Sequence, residues 1–425
     1  MLYESLAVKV LLISGILIPA AAQRLGVPPT ASGGWIGATI EAMRRHIPTV
    51  SLGVVARHAQ ASGHFEHDGV QHFVMQCKIG ELVQPPNPSF VSEIREIIRE
   101  FDPEVVHVNG SEFSFGMAVK IARPHIPALL SIQGISFLCR DVDQRVLRPG
   151  TGLRYDTLRD HASLLAMRKQ ESMERKTIAM FSHICGRTDW DKAHVHAMNP
   201  KAAYYSVQRL MRSEFWDVTW NHEQEKPHTV FSNSGGKARK GIHTLLEALA
   251  YLKGDYPNVE AHIPGMDFIT KKVTRLSLRS KGYANYLFDL IKKWNLTDHV
   301  CGLGVLNAQD MALELTKAHV FAQVSHIENS PNSLSEAMLV GTPSIASYCG
   351  GTGSILKDQT EGLMYPTGDA ALLAEHIRSL FENKELCRTF SKNARQRAIM
   401  RHDEKSITDE MMRVYREVID STHQK

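Results

Sequence analysis

The chain lacks most of the features that would assign it quickly. Its 425 residues hold six cysteines, Cys77, Cys139, Cys185, Cys301, Cys349 and Cys387, far apart and without a CxxC pair. Scattered thiols exclude a disulfide scaffold and a thiolate cluster, and fit buried packing in a reducing compartment. The 21 histidines are dispersed too, with "HFEH" (His64, His67) the nearest approach to a cluster. Ligand spacing of the usual kinds is missing, so no metal is expected. No apolar run is long enough to span a bilayer. Net charge is only +4, too mild for a nucleic-acid surface but compatible with a basic groove. There is no Walker A loop, and "SGGWIGATI" (32–40) stands too far behind the first strand for a dinucleotide fingerprint. Low-complexity segments and tandem repeats are absent as well.

What is present is an ordinary globular composition, 43% apolar and 22% charged, in a chain long enough for about two or three domains. One stretch, "KVLLISGILIPAAAQ" (9–23), imitates a secretion signal. A single basic flank and the preceding Glu4 favour a buried first strand instead. Short apolar runs then alternate with helical patterns. Strands are expected at 10–14, 50–55, 105–109, 128–132 and 183–186, with helices at 37–45, 91–101, 115–123 and 157–180. "FWDVTWNHEQEKP" (215–227) breaks the rhythm as a polar linker, after which strand and helix alternate again from 229 to 346. Residues 370–419 are helical throughout. Such alternation means βαβ units and parallel sheets, here two Rossmann-like halves. Chemistry is then expected in loops at the carboxyl ends of strands.

Two segments meet that expectation. "HIENSPNSLSEAMLVGTPSIASYCGG" (326–351) places Glu328 before a helix and Glu336 inside it, with seven residues between. Ser330 as N-cap and Pro331 at the first position would start this helix, and Gly341 would stop it. Leu334, Ala337 and Met338 share an apolar face, while Asn332 and Glu336 lie opposite, pointing away from the core. The N–H groups of Asn332 and Ser333 would then offer a phosphate site with a carboxylate on either side. That layout suits a nucleotide sugar, Glu336 toward ribose and Glu328 toward the sugar. The competing reading is a pair of ordinary helix-start acids. "SNSGGKARKGIHTLLEAL" (232–249) adds Gly235, Gly236, Lys237, Arg239, Lys240 and Gly241 between a strand and a helix. Its glycines let backbone approach phosphates, and Lys240 could neutralise a leaving diphosphate.

In this order the motifs resemble the retaining glycosyltransferases of family 4. They are the E-x7-E element, "EAMLVGTPSIAS", "GG", "EGLMYPTGDAALLAEHI" (361–377), "KG" at 240–241 with "LLEAL", and "VCGLGVLNAQDM" (300–311). "HVNGSEFSFG" (107–116), "SIQGIS" (131–136) and "GRTDWDKAHVHAMNP" (186–200) resemble members that assemble bacterial surface polysaccharide. The resemblance implies an α/β GT-B fold, two Rossmann-like domains facing each other across a cleft. Residues 1–215 would form the acceptor-side domain, 216–227 the linker and 228–400 the nucleotide-sugar domain. A C-terminal helix, 401–425, would pack back toward the first.

It also implies roles. Glu336 would bind ribose, Glu328 the donor sugar, Lys240 the diphosphate. Ser330, Asn332, Ser333 and Leu334 would contact the phosphates or sugar, and Gly33 and Gly34 would close over them. Two positions depart from the family. An arginine usual about five residues before the lysine is Gly235 here, so Lys237 or Arg239 would substitute, without a bidentate match. A histidine usual beside the sugar is Gln133, which hydrogen-bonds but does not titrate near neutrality.

The implied activity is hexosyl transfer from a UDP- or GDP-linked donor to a glycan or lipid-linked glycan, in surface polysaccharide or lipopolysaccharide assembly. Transfer would follow front-face substitution with catalytic Glu328, Lys240 and Gln133, and no metal or other cofactor. "DVD" (141–143) and "DWD" (189–191) only superficially offer a metal-binding DxD. The expected place is the cytoplasm, at the inner membrane's cytoplasmic face if the basic segment 140–176 attaches there through Leu158, Ala162, Leu165 and Met173. The alternative for that segment is a stripe packed on the sheet. Rival functions are a nucleotide-sugar epimerase of the same fold and a non-catalytic nucleotide-sugar-binding protein. No nucleic-acid partner is expected.

Overall fold

The computed structural model describes residues 8–28, 34–151, 158–232, 236–266 and 282–423, with the side chains of 144–151, 158–167 and 423 outside the description. The chain forms two compact units. The first comprises Met1–Phe137, Leu165–Met211 and His402–Lys425, the second Leu138–Leu164 and Arg212–Arg401.

In the first unit the strands are β1 (Lys9–Ile13), β2 (Ser51–His58), β3 (Gly63–His67), β4 (Val70–Gln76), β5 (Val105–Asn109), β6 (Ala128–Ser131), β7 (His183–Gly186) and β8 (Ala203–Ser206). They order as β3-β4-β2-β1-β5-β6-β7-β8, parallel except for the β3–β4 hairpin. The signal-like run "KVLLI" is β1, near the middle of the sheet between β2 and β5. Buried on both faces, such a strand reads as an unbroken apolar run, which is why it imitates a signal. The hairpin was not among the expected elements. "HFEH" is its β3, where His64 accepts or donates at Gln71 (2.9 Å) and stacks on Phe73.

The second unit carries β9 (Lys226–Ser232), β10 (Glu260–Ile263), β11 (Val300–Gly302), β12 (Ala318–Gln323), β13 (Ser344–Tyr348) and β14 (Leu363–Pro366), ordered β11-β10-β9-β12-β13-β14 and all parallel. The stretch expected as a linker is fastened to this unit. Trp220 is buried, its backbone N–H donating to Val340 and its indole Nε1 to Ala318, each at 2.8 Å. Three helices, Ala370–Glu382, Lys384–Arg401 and Glu404–His423, follow the last strand. The third belongs to the first unit, where Met411, Met412, Val414, Tyr415 and Val418 join its core.

Of the stripe proposed for membrane contact, Met173 is buried within the first unit, beside Thr177 and Ile178. The side chains of Leu158, Ala162 and Leu165 lie outside the described residues. Among the described residues, no helix is long and apolar enough to cross a membrane.

Candidate functional site

In a parallel sheet all strands point the same way, so their carboxyl-end loops crowd together. In the second unit β9 leads into the basic glycine loop, β12 into residues 324–331 and β13 into Cys349–Gly351. Two glycines permit the crowding. Gly241 has φ +72°, and a Cβ there would overlap the Val324 carbonyl oxygen. Gly350 has φ +49°, and a Cβ there would overlap the Glu328 carbonyl oxygen. Neither approach is open to a residue with a side chain. Across these gaps the His326 N–H donates to the Arg239 carbonyl (2.7 Å) and the Gly351 N–H to the Glu328 carbonyl (3.0 Å). The loop bearing Glu328 is thus held from both sides.

That clamp brings two of the expected residues together. Lys240 Nζ lies 2.5 Å from Glu328 Oε1, which also accepts from Ser325 Oγ at 2.8 Å. The side chains are only 26% and 15% exposed, so the pair is shielded more than a surface ion pair. Arg239 is engaged elsewhere. Its N–H and Nη1 donate to the Asp143 carboxylate at 2.7 and 2.9 Å, so one aspartate of "DVD" serves as a guanidinium partner. Lys237 is exposed. Gly33 and Gly235 lie outside the described residues, while Gly34 opens the helix Gly34–His46 of the first unit. In "DWD", Asp191 is fully buried and completes a capping box with Thr188 at the start of the helix Asp189–Met198.

The helix after Glu328 begins later than expected. It spans Asn332–Val340 with Pro331, not Ser330, as N-cap and no side-chain cap bond. Asn332, Ser333 and Leu334 therefore form its first turn, where N–H groups precede any carbonyl four residues back and the helix dipole is positive. Gly341 ends it at φ +85°. A second correction concerns Glu336. It does not point away from the core: it is 5% exposed, on a helix buried continuously from Leu334 to Val340. The helix has no solvent face because it lies between the sheet and the helix Lys384–Arg401. Burying a carboxylate demands a partner, and Arg212 supplies it, donating to Glu336 Oε1 from Nη2 (2.6 Å) and Nε (3.2 Å). The guanidinium also stands 4.8 Å from the centre of the Phe215 ring. Arg212 was missed in the sequence because it sits 124 positions away with no local motif.

Gln133 belongs to the first unit, just past β6. Its side-chain oxygen accepts from Arg209 Nη2 and from Arg187 Nη1 (3.4 Å), and its carbonyl from Arg187 Nη2 (3.2 Å). Arg187 and Arg209 follow β7 and β8, and Arg209 stacks 4.5 Å over Trp35. With His107, Ser131 and Asn109 they line a cavity of about 40 Å³, roughly one water. Nearby, burial pushes the Glu112 carboxyl up to about 7, with Glu174 adding repulsion and Arg187 and Arg209 opposing it. Sequence reasoning missed these three residues, although "GR" directly after a strand was a usable signal for Arg187.

With that geometry, comparison with known proteins is informative. A family model described as "Glycosyl transferases group 1" matches residues 213–397, and one described as "Glycosyl transferase 4-like domain" matches residues 36–208. A phosphatidyl-myo-inositol mannosyltransferase of Mycobacterium leprae is 28% identical over 193 residues, 45% of this chain and 47% of the relative. The curated relatives are thus matched over less than half of their own length. Sucrose-phosphate synthase from Thermosynechococcus elongatus superposes with a TM-score of 0.72 at 17% identity, over 97% of this chain and 99% of that one. Anabaena HepE, solved in complex with UDP-glucose, superposes with a TM-score of 0.66 at 19% identity, over 97% of this chain and all of that one. The fold shared with these structures is GT-B.

Proposed function

Because the chain belongs to the GT4-type glycosyltransferases, we propose that it moves a hexose from a UDP- or GDP-linked donor to a glycan or lipid-linked glycan acceptor, with retention. The observation that carries this reading is the pairing of Lys240 with Glu328 at 2.5 Å, in the loop that enters the helix bearing buried Glu336. Cation, two carboxylates and helix N-terminus together match a sugar diphosphate nucleotide.

On donor binding Lys240 exchanges Glu328 for the diphosphate, and Glu328 turns to the sugar hydroxyls. Glu336 accepts hydrogen bonds from ribose, with Arg212 fixing its orientation. In the reaction the C1–O bond to the leaving phosphate breaks while the acceptor oxygen adds on the same face. The departing phosphate oxygen takes the acceptor's proton. Lys240 and the first-turn N–H groups of Ser333 and Leu334 stabilise the charge that develops, a task met elsewhere by a divalent cation. HepE's complex with UDP-glucose supports a uridine donor, and the mannosyltransferase named for phosphatidyl-myo-inositol supports a lipid-linked acceptor. Resemblance of the first half to polysaccharide-assembling members supports a role in the cell surface.

Titration of UDP, GDP and ADP against wild type and Glu336→Ala tests the donor reading. One nucleoside diphosphate should bind and the variant should lose it; equal binding by both proteins would refute the site. The anomeric configuration of the product, read by NMR, tests retention. Unchanged turnover on adding Mg²⁺ or Mn²⁺ to metal-free buffer tests the metal-free mechanism.

A further inference from the structure

At the amino end of the second sheet, opposite the donor loops, three ligating side chains converge: His222, Glu225 and His319. His222 and Glu225 lie in the stretch that enters β9, and His319 is the second residue of β12. One ligating atom from each residue, a ring nitrogen of either histidine and a Glu225 oxygen, lies within 4.8 Å of the other two. The individual separations are 2.9 Å from His222 Nδ1 to Glu225 Oε1 and 3.4 Å from His319 Nδ1 to the same oxygen. Bonds of about 2.0–2.1 Å at tetrahedral angles set ligand atoms roughly 3.3 Å apart.

A hydrogen bond would explain the short distances equally well, but the alignment does not support one at His222. His222 Nδ1, despite its 2.9 Å approach to Glu225 Oε1, makes no hydrogen bond, so the ring nitrogen is not aimed along a bond to that oxygen. Glu225 is 2% exposed, and its Oε2 is buried with no hydrogen-bond partner. A carboxylate oxygen left so is costly unless a cation meets it. His319 is oriented as metal-bound imidazoles are: Nε2 faces the Leu380 carbonyl at 3.2 Å, which leaves the lone pair on Nδ1. Cys387 donates to that same carbonyl at 3.1 Å. One contact competes, the His228 N–H at 3.3 Å from Nδ1, at the long end of the hydrogen-bond range. Phe381 closes the other side, 4.9 Å from the His319 ring.

We infer that His222, Glu225 and His319 form a structural site for a divalent transition ion, Zn²⁺ by its two-imidazole, one-carboxylate donor set. His222, 11% exposed, leaves the fourth position to water. The ion would tie the segment entering the sheet to its central strand, remote from the sugar-transfer loops, so the site stands independently of the proposed activity. Spacing alone could not disclose it, since one ligand comes from a distant strand.

The test uses the full chain without a histidine tag, stripped with chelator and titrated with Co²⁺, read by its d–d absorption. Wild type should take up one equivalent as a four-coordinate ion, and Zn²⁺ should displace it and raise the melting temperature. Loss of groups that only orient a ligand costs about 10–100-fold in affinity. His222→Ala, which removes a ligand near the surface, and Glu225→Gln should therefore each weaken Co²⁺ at least tenfold, with unchanged far-UV circular dichroism. Absence of a four-coordinate spectrum in folded wild type overturns the site. So does wild-type affinity in His222→Ala, which would place the ion on other histidines.

Discussion

At the scale of single residues, Lys240 and Arg212 separate two kinds of contribution. In the proposed mechanism Lys240 meets charge that grows on the leaving group, so its loss should fall on turnover. Removing one such stabilising donor costs about 10²–10³-fold in kcat. Lys240→Ala is expected to show that loss while nucleoside diphosphate affinity changes only a few-fold; wild-type turnover would remove the leaving-group role. Arg212 acts through Glu336, with both guanidinium bonds on one carboxylate oxygen. Arg212→Ala should therefore weaken nucleotide binding, and Arg212→Lys should restore it only in part, because an ammonium cannot make the two-point contact. Full rescue by lysine, read by calorimetry, would reduce the role of Arg212 to bare charge. The two residues also differ in legibility. Lys240 announces itself through the glycines around it, whereas Arg212 is defined only by the burial of a glutamate on a distant helix.

At the scale of elements, the loops depend on where side chains are forbidden. Gly350→Ala should displace the Glu328 loop and abolish nucleotide binding, because the overlap is with backbone and φ is positive. Gly236→Ala, in the glycine loop itself, meets nothing within 4 Å and should leave binding within about twofold of wild type. Equal effects from the two substitutions would show that glycine content, and not this close approach, governs the loops. Most strands and helices were readable because parallel βα units concentrate apolar residues in short runs. The β3–β4 hairpin escaped although Asp68 and Gly69, at φ +50° and +73°, form the Asp-Gly turn that signals one. Its half-polar strands lacked the continuous apolar runs that marked the others. The start of the helix Asn332–Val340 was misjudged for a different reason. Ser330 and Pro331 satisfy local cap rules, but the chain first becomes helical one residue later, at Asn332, with Pro331 as the N-cap.

For the whole molecule, stability should follow buried histidines on the acid side. Burial holds His72 at about 4 and His107 and His243 at about 3. Each is neutral when folded and takes a proton near 6.5 when unfolded, so stability is complete above pH 6.5 and falls as pH drops toward those values. Each contributes about 1 kcal/mol of loss per pH unit between 6.5 and 5.5, and Glu112, raised to about 7, offsets one of them. His107→Gln should flatten that slope in the first unit's urea unfolding. A larger dependence lies in the chain's return. The helix Glu404–His423 puts Ile407, Met411, Met412, Val414, Tyr415 and Val418 into the first unit's core, and Tyr415 Oη meets His107 Nδ1 at 2.7 Å. Burying a side chain of this size contributes about 1.5–3 kcal/mol, so the six together reach on the order of 10 kcal/mol. A domain's whole stability is about 5–15 kcal/mol. Truncation after Arg401 is therefore expected to unfold the first unit while the second, which loses none of its own strands, stays folded. Limited proteolysis should then yield a protected fragment of the second unit with its tryptophan signal intact. If the truncated chain protected both units alike, the returning helix would be a surface strap, and the first unit's core would have to close without it.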